Sequence, residues 1–335
     1  MTTRPAPDPS ADPAFLEVVA RLRQASRIVV SSHERPDGDA IGSGMALTLA
    51  LRAIGKDARM VMCDVPPAYL QPFPAVDGLW VTREVTEAFD CAAIMECGDL
   101  SRTGVSGLDR SVVLNVDHHP GNARYGAVNW VDESAAACGE LVYAIIRALD
   151  APLTADIATH LYLAILTDTG SFHFSHLSPR TFDIAARCVE AGADPEAIAR
   201  THYDSNRMAR VRLFGSVLSG MTVDSSGRAA ILTITPEMAA AADGSYDDTE
   251  GLINFPLSVK DVEAVAFFKQ EATPDRWRVS LRSKGPVDIG AIAAARGGGG
   301  HRNAAACRLS GDADALRAEL LTALVAAIDA AGPRS

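Results

Sequence analysis

Apolar and polar positions along this chain follow two alternating rhythms. Short, nearly unbroken apolar runs, Arg27 to His33, Ala58 to Cys63, Cys91 to Glu96 and Ser111 to Val116, have the length and composition of strands buried on both faces. Apolar residues at helical spacing predict helices over about 14–25, 39–54 (stopped by Gly55), 153–166, 179–190, 194–203 and 206–220, and one from the N-cap Ser134 to Leu149. Strands alternating with helices predict an α/β fold: a mainly parallel sheet with helices on both faces. Beyond residue 220 the rhythm changes. Arg228 to Thr235, Val262 to Lys269 and Trp277 to Arg282 read as strands, 288–296 and 313–330 as helices, and Gly297 to Gly300 precede His301. The expectation is a flexible tail over 1–13, a large domain over 14–205, a connecting helix and linker over 206–224, and a smaller α/β C-terminal domain over 225–332, across a cleft.

In open sheets of this kind, ligands sit beyond the carboxyl ends of the strands. Three strand ends here deliver metal-binding side chains to that edge: His33, Glu96, and Asp117-His118-His119. Asp37 and Asp39 flank Gly38 in the turn after the first strand, so alternate carboxylates can address two neighbouring metals, with Pro36 and Gly38 shaping the backbone. An Asp-Gly turn alone is equally at home as a helix cap; the nearby His33 favours the metal. Glu96 has two oxygens with which to bridge two ions, and Asp99 is a rival for that role. Asp168 ends an apolar helix before Gly170. Carboxylates and imidazoles without thiolates suit Mn²⁺ or Mg²⁺, with Co²⁺ as a further option, better than structural zinc. Two such ions roughly 3.5–4 Å apart hold a shared hydroxide and clamp both the attacking and the leaving oxygen of a displacement at phosphorus. A phosphoesterase is the leading expectation.

Length and charge narrow the substrate. The 335 residues suit two domains, and a net charge of −11 argues against a cationic coat gripping long duplex DNA. The segment 260–310 runs the other way, with nine Lys/Arg against five Asp/Glu. A mildly basic module beside an acidic, metal-binding one fits a small phosphorylated substrate. Within it, Gly297–Gly300 and His301 form a candidate phosphate cradle and Arg282 a candidate fork onto phosphate. The six scattered cysteines contain no C-x-x-C pair, residues 1–13 lack the basic start and apolar run of a secretory signal, and no apolar stretch approaches the ~18 residues of a membrane span. A reduced, cytoplasmic, soluble enzyme with no membrane partner is expected.

These residues resemble the DHH phosphoesterase family, named for its Asp-His-His triplet. His33-x-x-Pro-Asp37-Gly-Asp39-Ala resembles its first motif, Ile94-Met-Glu96-Cys-Gly-Asp99 its second, Asp117-His118-His119 its third and Thr167-Asp168-Thr-Gly its fourth. Arg282-Ser-Lys and Gly297-Gly-Gly-Gly-His301 resemble the DHH-associated substrate-binding domain. The resemblance makes 14–205 the catalytic domain and 225–332 the substrate domain. It implies that His33, Asp37 and the second-motif carboxylate hold one metal, and that Asp39, the same carboxylate, His118 and Asp168 hold the other. His119 would help protonate the leaving oxygen, and Arg282, Gly299, Gly300 and His301 would bind the substrate's terminal phosphate or base end. The family's second motif carries Asp where this chain has Glu96, which leaves Glu96 and Asp99 both open as the bridge. Chain size resembles the NrnA-type subgroup, oligoribonucleases that also remove the 3′-phosphate of 3′-phosphoadenosine 5′-phosphate. Related members hydrolyse linear or cyclic dinucleotides, and a nucleotide-binding protein with a weakened metal site is the non-enzymatic alternative. A homodimer is implied by the resemblance alone.

Overall fold

β-Branched and other apolar side chains alternate above and below the first five strands, and each side finds its own core. In the computed structural model, which describes residues 11–173, 177–249 and 251–332, β1 (Arg27–Ser31), β2 (Asp57–Met62), β3 (Trp80–Val81), β4 (Cys91–Met95), β5 (Val112–Asp117) and β6 (Val128–Val131) form one parallel sheet in the order β3-β2-β1-β4-β5-β6. Its helices are α1 (Pro13–Gln24), α2 (Gly38–Ala53), α3 (Cys138–Ala148), α4 (Ala155–Asp168), α5 (Pro179–Glu190) and α6 (Pro195–Tyr203). Ile28, Val30, Met60, Ala93 and Leu114 face one way, into a core shared with Leu47, Leu51, Ile145, Leu161 and other residues of the α-helices. Val29, Val61, Ala92, Ile94 and Val113 face the other way, onto Val85, Phe89, Val105 and Leu108. The expected flanking helices are present, but on this second face they are the 3₁₀ helices Leu100–Thr103 and Leu108–Arg110 with their loops. Gly104 and Gly107, at φ 63° and 83°, break the connection between β4 and β5 before an α-helix can form.

Two expected details change. β3 and β6 were not legible, being only two and four residues long. Ser134 does not cap α3; its N–H and hydroxyl are turned back onto Asp132 Oδ1, at 3.0 and 2.5 Å. The helix starts later, at Cys138, after an Ala137 cap that has no side chain able to accept a hydrogen bond.

Contacts divide the chain into two compact units, 1–205 and 206–335. In the second, α7 (Met208–Ser219) precedes β7 (Thr222–Val223), β8 (Ala229–Ile234), α8 (Pro236–Ala241), α9 (Asn254–Ser258), β9 (Ala264–Gln270), β10 (Arg276–Ser283), α10 (Gly290–Ala294), β11 (Gly299–His301), β12 (Ala304–Ser310) and α11 (Ala313–Ala331). The sheet order is β11-β12-β10-β9-β8-β7, antiparallel except for β8 with β9. One face packs under α10 and α11, and part of the other under α7, α8 and α9. The segment expected to connect the domains is therefore packed into the second unit: Leu213 and Val217 of α7 lie in a core with Ala230, Leu232 and Phe267. Among the described residues no helix is long and apolar enough to cross a membrane.

Candidate metal centre

The strand order reverses between β1 and β4, all strands staying parallel, and the crevice at such a switch point is where a parallel sheet offers a site. Glu96 follows β4 directly, His33 lies two residues beyond the end of β1, and Asp117 ends β5, leading into His118 and His119. Two helix ends complete the ring: Asp37 and Asp39 at the start of α2, and Asp168 at the end of α4. These two helices run close together because glycines face the contact. A methyl group on Gly42 would fall 2.5 Å from the His160 carbonyl oxygen and 2.9 Å from Ala164, and one on Gly38 would meet the Thr167 side chain.

Six side chains converge in two triads, His33–Asp37–Glu96 and Asp39–His118–Asp168, each with ligand atoms within 4.8 Å of one another, and Glu96 and His118 form a third such group with His119. Glu96 joins them: its Oε2 lies 3.3 Å from His118 Nε2, which lies 3.3 Å from Asp168 Oδ2 and 3.9 Å from Asp39 Oδ2. His33 Nε2 lies 3.8 Å from Asp37 Oδ2. Glu96, Asp39, His33 and His118 form a buried base, while Asp37 and Asp168 sit at the more open side.

Each ring is pre-set. His118 Nδ1 donates to the Ala135 carbonyl (3.1 Å) and His33 Nδ1 to the Glu34 carbonyl (2.8 Å). A carbonyl only accepts, so Nδ1 carries a hydrogen and Nε2 is the atom turned toward the carboxylates, the nitrogen a metal-ligating histidine offers once its proton has left. Asp39 is fixed by the backbone N–H groups of Cys138 (2.5 Å) and Gly139 (3.0 Å), so it caps the α3 N-terminus that Ala137 cannot. Asp37 accepts from Ala40 N–H at 3.0 Å as the cap of α2 and keeps its other oxygen for the site. Glu96 holds a left-handed backbone, φ 56°, which costs a non-glycine residue roughly 1–2 kcal/mol.

This donor set fits divalent cations. Glu96 Oε2 and His118 Nε2 are buried and face each other at 3.3 Å without a well-directed hydrogen bond, and a buried carboxylate oxygen so placed is costly unless a cation, proton or metal, meets it. The ionisation behaviour agrees. Burial, then Glu96 and Asp168, push the Asp39 carboxyl far up, and burial with Glu96 pushes Asp168 up to about 7. Burial works against charging His118, yet Glu96, Asp39 and Asp168 outweigh it and hold a proton on the ring up to about 11. The cluster demands positive charge where a metal would sit.

Asp117 and Asp99 stand apart from the six. Asp117, fully buried, accepts from the N–H groups of His118 (2.8 Å) and His119 (3.2 Å), from His119 Nδ1 (2.9 Å) and from Asn122 Nδ2 (2.6 Å). Burial opposes its charge, but those donors outweigh burial and lower its pKa. Its charge in turn raises the pKa of His119 against the effect of burial. His119 Nδ1 also lies 3.5 Å from Glu96 Oε1. Asp99 is not brought into the cluster: it is exposed, and its Oδ1 accepts from Ser101 N–H (2.8 Å) and Oγ (2.6 Å), capping a 3₁₀ helix. Nothing in the sequence marks the Ala135 carbonyl or the α3 N-terminus, because backbone donors and acceptors carry no motif, and Asn122 stands there as an ordinary loop asparagine.

In the second unit, the half-buried Arg282 has no ion-pair partner among the described residues, and burial lowers its pKa. The glycine run is not a loose loop: Gly299–His301 pairs with Ala304–Ala306 as an edge strand. Gly300, at φ 137°, lies where a methyl would strike Ala304 and Ala305, whereas Gly299 faces open space. The His301 side chain lies outside the described residues.

Two family models cover this architecture: the DHH family N-terminal domain matches residues 27–165 and the DHHA1 domain residues 232–331. The bifunctional oligoribonuclease and PAP phosphatase NrnA of Thermus thermophilus is 35% identical over 303 residues, 88% of this chain and 89% of the relative. The chain belongs to the DHH family. Another DHH relative, the NrnA of Bacillus subtilis, is 25% identical over 91% of this chain and 97% of its own length. The fold is that of a crystallised exopolyphosphatase-related protein from Bacteroides fragilis, with a TM-score of 0.87 at 24% identity, covering 96% of this chain and 98% of that one.

Proposed function

We propose that this DHH protein is a metal-dependent phosphoesterase that trims short oligoribonucleotides to 5′-mononucleotides and removes the 3′-phosphate of 3′-phosphoadenosine 5′-phosphate. The carrying observation is the pair of buried atoms, Glu96 Oε2 and His118 Nε2, facing each other without a well-directed hydrogen bond between two ligand triads. The names of the Thermus and Bacillus relatives supply the substrate class. In this reading His33, Asp37 and Glu96 would hold one ion, and Asp39, His118 and Asp168, with Glu96, would hold the other. Two bound ions, Mn²⁺ by preference, would supply Lewis acidity there, lowering the pKa of a bound water and offsetting negative charge on the phosphoryl oxygens. His119, kept protonated by Asp117, gives its proton to the departing 3′ oxygen. Arg282 and the backbone around Gly299 and Gly300, with His301, bind the substrate's phosphate or base end. Six buried, unpaired cysteines support a reducing, cytoplasmic setting.

The test is hydrolysis by purified protein with Mn²⁺ of an RNA dinucleotide, a longer RNA, 3′-phosphoadenosine 5′-phosphate and cyclic di-AMP, with Glu96→Gln alongside. Turnover of the first and third, abolished in Glu96→Gln, is the expected result. No turnover of either would end the proposal, and an unaffected Glu96→Gln would return the bridging role to Asp99.

A further inference from the structure

The supports of two ligands on different elements trace back to one side chain that no motif contains. His118 is oriented by the Ala135 carbonyl, and Asp39 by the N–H groups of Cys138 and Gly139. All three supports lie in residues 135–139, between β6 and the first turn of α3. That segment is tied at both ends to Arg180, near the start of α5. Arg180 Nη1 donates to Asp132 Oδ2 at 3.0 Å, and Arg180 Nε to Glu140 Oε2 at 2.6 Å. Thr181, fully buried, donates to the other Glu140 oxygen at 2.6 Å. Glu140 itself is 2% exposed.

Asp132 shapes the turn from within. Its Oδ1 takes the Ser134 N–H and hydroxyl, its carbonyl takes the Ala135 N–H at 3.1 Å, and its own N–H donates to the Asp117 carbonyl at 3.1 Å. One rigid guanidinium fork therefore clamps both ends of the segment, with Asp132 preceding Ala135 and Glu140 following Gly139. A planar fork is suited to this, because its two donors hold fixed directions. A buried carboxylate without such a partner would pull away toward water.

We propose that Arg180, through Asp132 and Glu140, is a positioning residue for the Asp39–His118–Asp168 half of the metal centre, setting its affinity without touching the metal. The proposal rests on the two-metal reading above. The ligands of the other half are held outside the clamped segment: His33 donates to the Glu34 carbonyl, and Asp37 accepts from the Ala40 N–H. The effect is therefore one-sided, which a general loss of stability would not be. Supporting groups of this kind typically change metal affinity about 10–100-fold.

The experiment is Mn²⁺ titration of the full chain by calorimetry and electron paramagnetic resonance, comparing wild type, Arg180→Met and Asp132→Asn. Asp132→Asn leaves the buried Arg180–Glu140 pair intact, so it stays informative if Arg180→Met fails to fold. Wild type is expected to bind two ions and give an exchange-coupled spectrum. The variants are expected to lose one ion's affinity by about 10–100-fold and give the six-line spectrum of an isolated Mn²⁺. Folded variants that keep the coupled spectrum and both affinities would overturn the proposal. A wild type that binds no Mn²⁺ would instead overturn the two-metal reading itself.

Discussion

Gly42→Ala tests whether the close approach of α2 and α4 is what builds the site. Alanine is intrinsically the better helix residue by roughly 0.8–1 kcal/mol, so propensity alone predicts stabilisation. The structure predicts the opposite. The new Cβ would lie 2.5 Å from the His160 carbonyl oxygen and 2.9 Å from both the backbone nitrogen and the Cβ of Ala164. Backbone atoms cannot swing aside, so the helices must part by about 1 Å to restore ordinary contact distances. Overpacking of this kind costs about 1–3 kcal/mol, which leaves a net loss of up to about 2 kcal/mol after the propensity gain. For a unit of this size that is a fall in Tm of up to about 8 °C. Because Asp39 starts α2 and Asp168 ends α4, the separation also weakens Mn²⁺ binding at that pair. Gly215→Ala is the internal control: Gly215 lies exposed within α7, with nothing within 4 Å of a built Cβ, so propensity should win and Tm should rise. Scanning calorimetry with and without Mn²⁺ reads both variants. A Tm for Gly42→Ala at or above wild type, with unchanged Mn²⁺ affinity, would refute the reasoning.

Asp117→Asn should retain two-metal binding but lower kcat by about 10²-fold or more, because the side chain orients and charges His119 rather than meeting the ions; loss of a metal in calorimetry would contradict this. Asp168 and His118 should make the metal-free protein lose stability as pH rises, against the opposite pull of His160, whose pKa burial lowers to about 4. Asp168 has a folded pKa of about 7 against an ordinary value of 3.8, so its contribution is fully present below about 4 and gone once pH has risen through 7. His118 acts in the same direction, its contribution fully present below 6.5 and lost only as pH rises through about 11. Thermal unfolding of EDTA-treated protein between pH 4.5 and 8 should show the fall, and saturating Mn²⁺ should abolish it; a Tm climbing steadily over that range would argue against a proton-holding cluster. Arg282→Met should raise KM for RNA dinucleotides about tenfold or more, as expected for loss of a charged hydrogen bond worth roughly 1.5–3 kcal/mol, with Mn²⁺ binding intact; an unchanged KM would remove Arg282 from substrate binding.

Much of the metal centre was legible from one dimension because its chemistry is local. His33, Asp37 and Asp39 share one turn, Asp117-His118-His119 is contiguous, and buried strands ending in acidic or imidazole residues announce a sheet edge that binds ligands. The choice between Glu96 and Asp99 was not local. Both follow β4 in one short loop, and only the fold decides that Glu96 turns inward on a left-handed backbone while Asp99 is spent capping a 3₁₀ helix. Ser134 misled for the same reason: it has the chemistry of a helix cap, but the cap of α3 comes from Asp39, 99 residues away from Cys138. The glycine run carries no strand signal of its own because strand propensity is a matter of neighbours, and β12 supplied the neighbour. Sequence alone thus determined which side chains could hold metal and roughly where strands place them. Tertiary structure decided which carboxylates meet, which atoms stay unpaired, and which backbone N–H and carbonyl groups hold the ligands. Those groups are chemically identical in every residue, so only their position in the fold gives them a role.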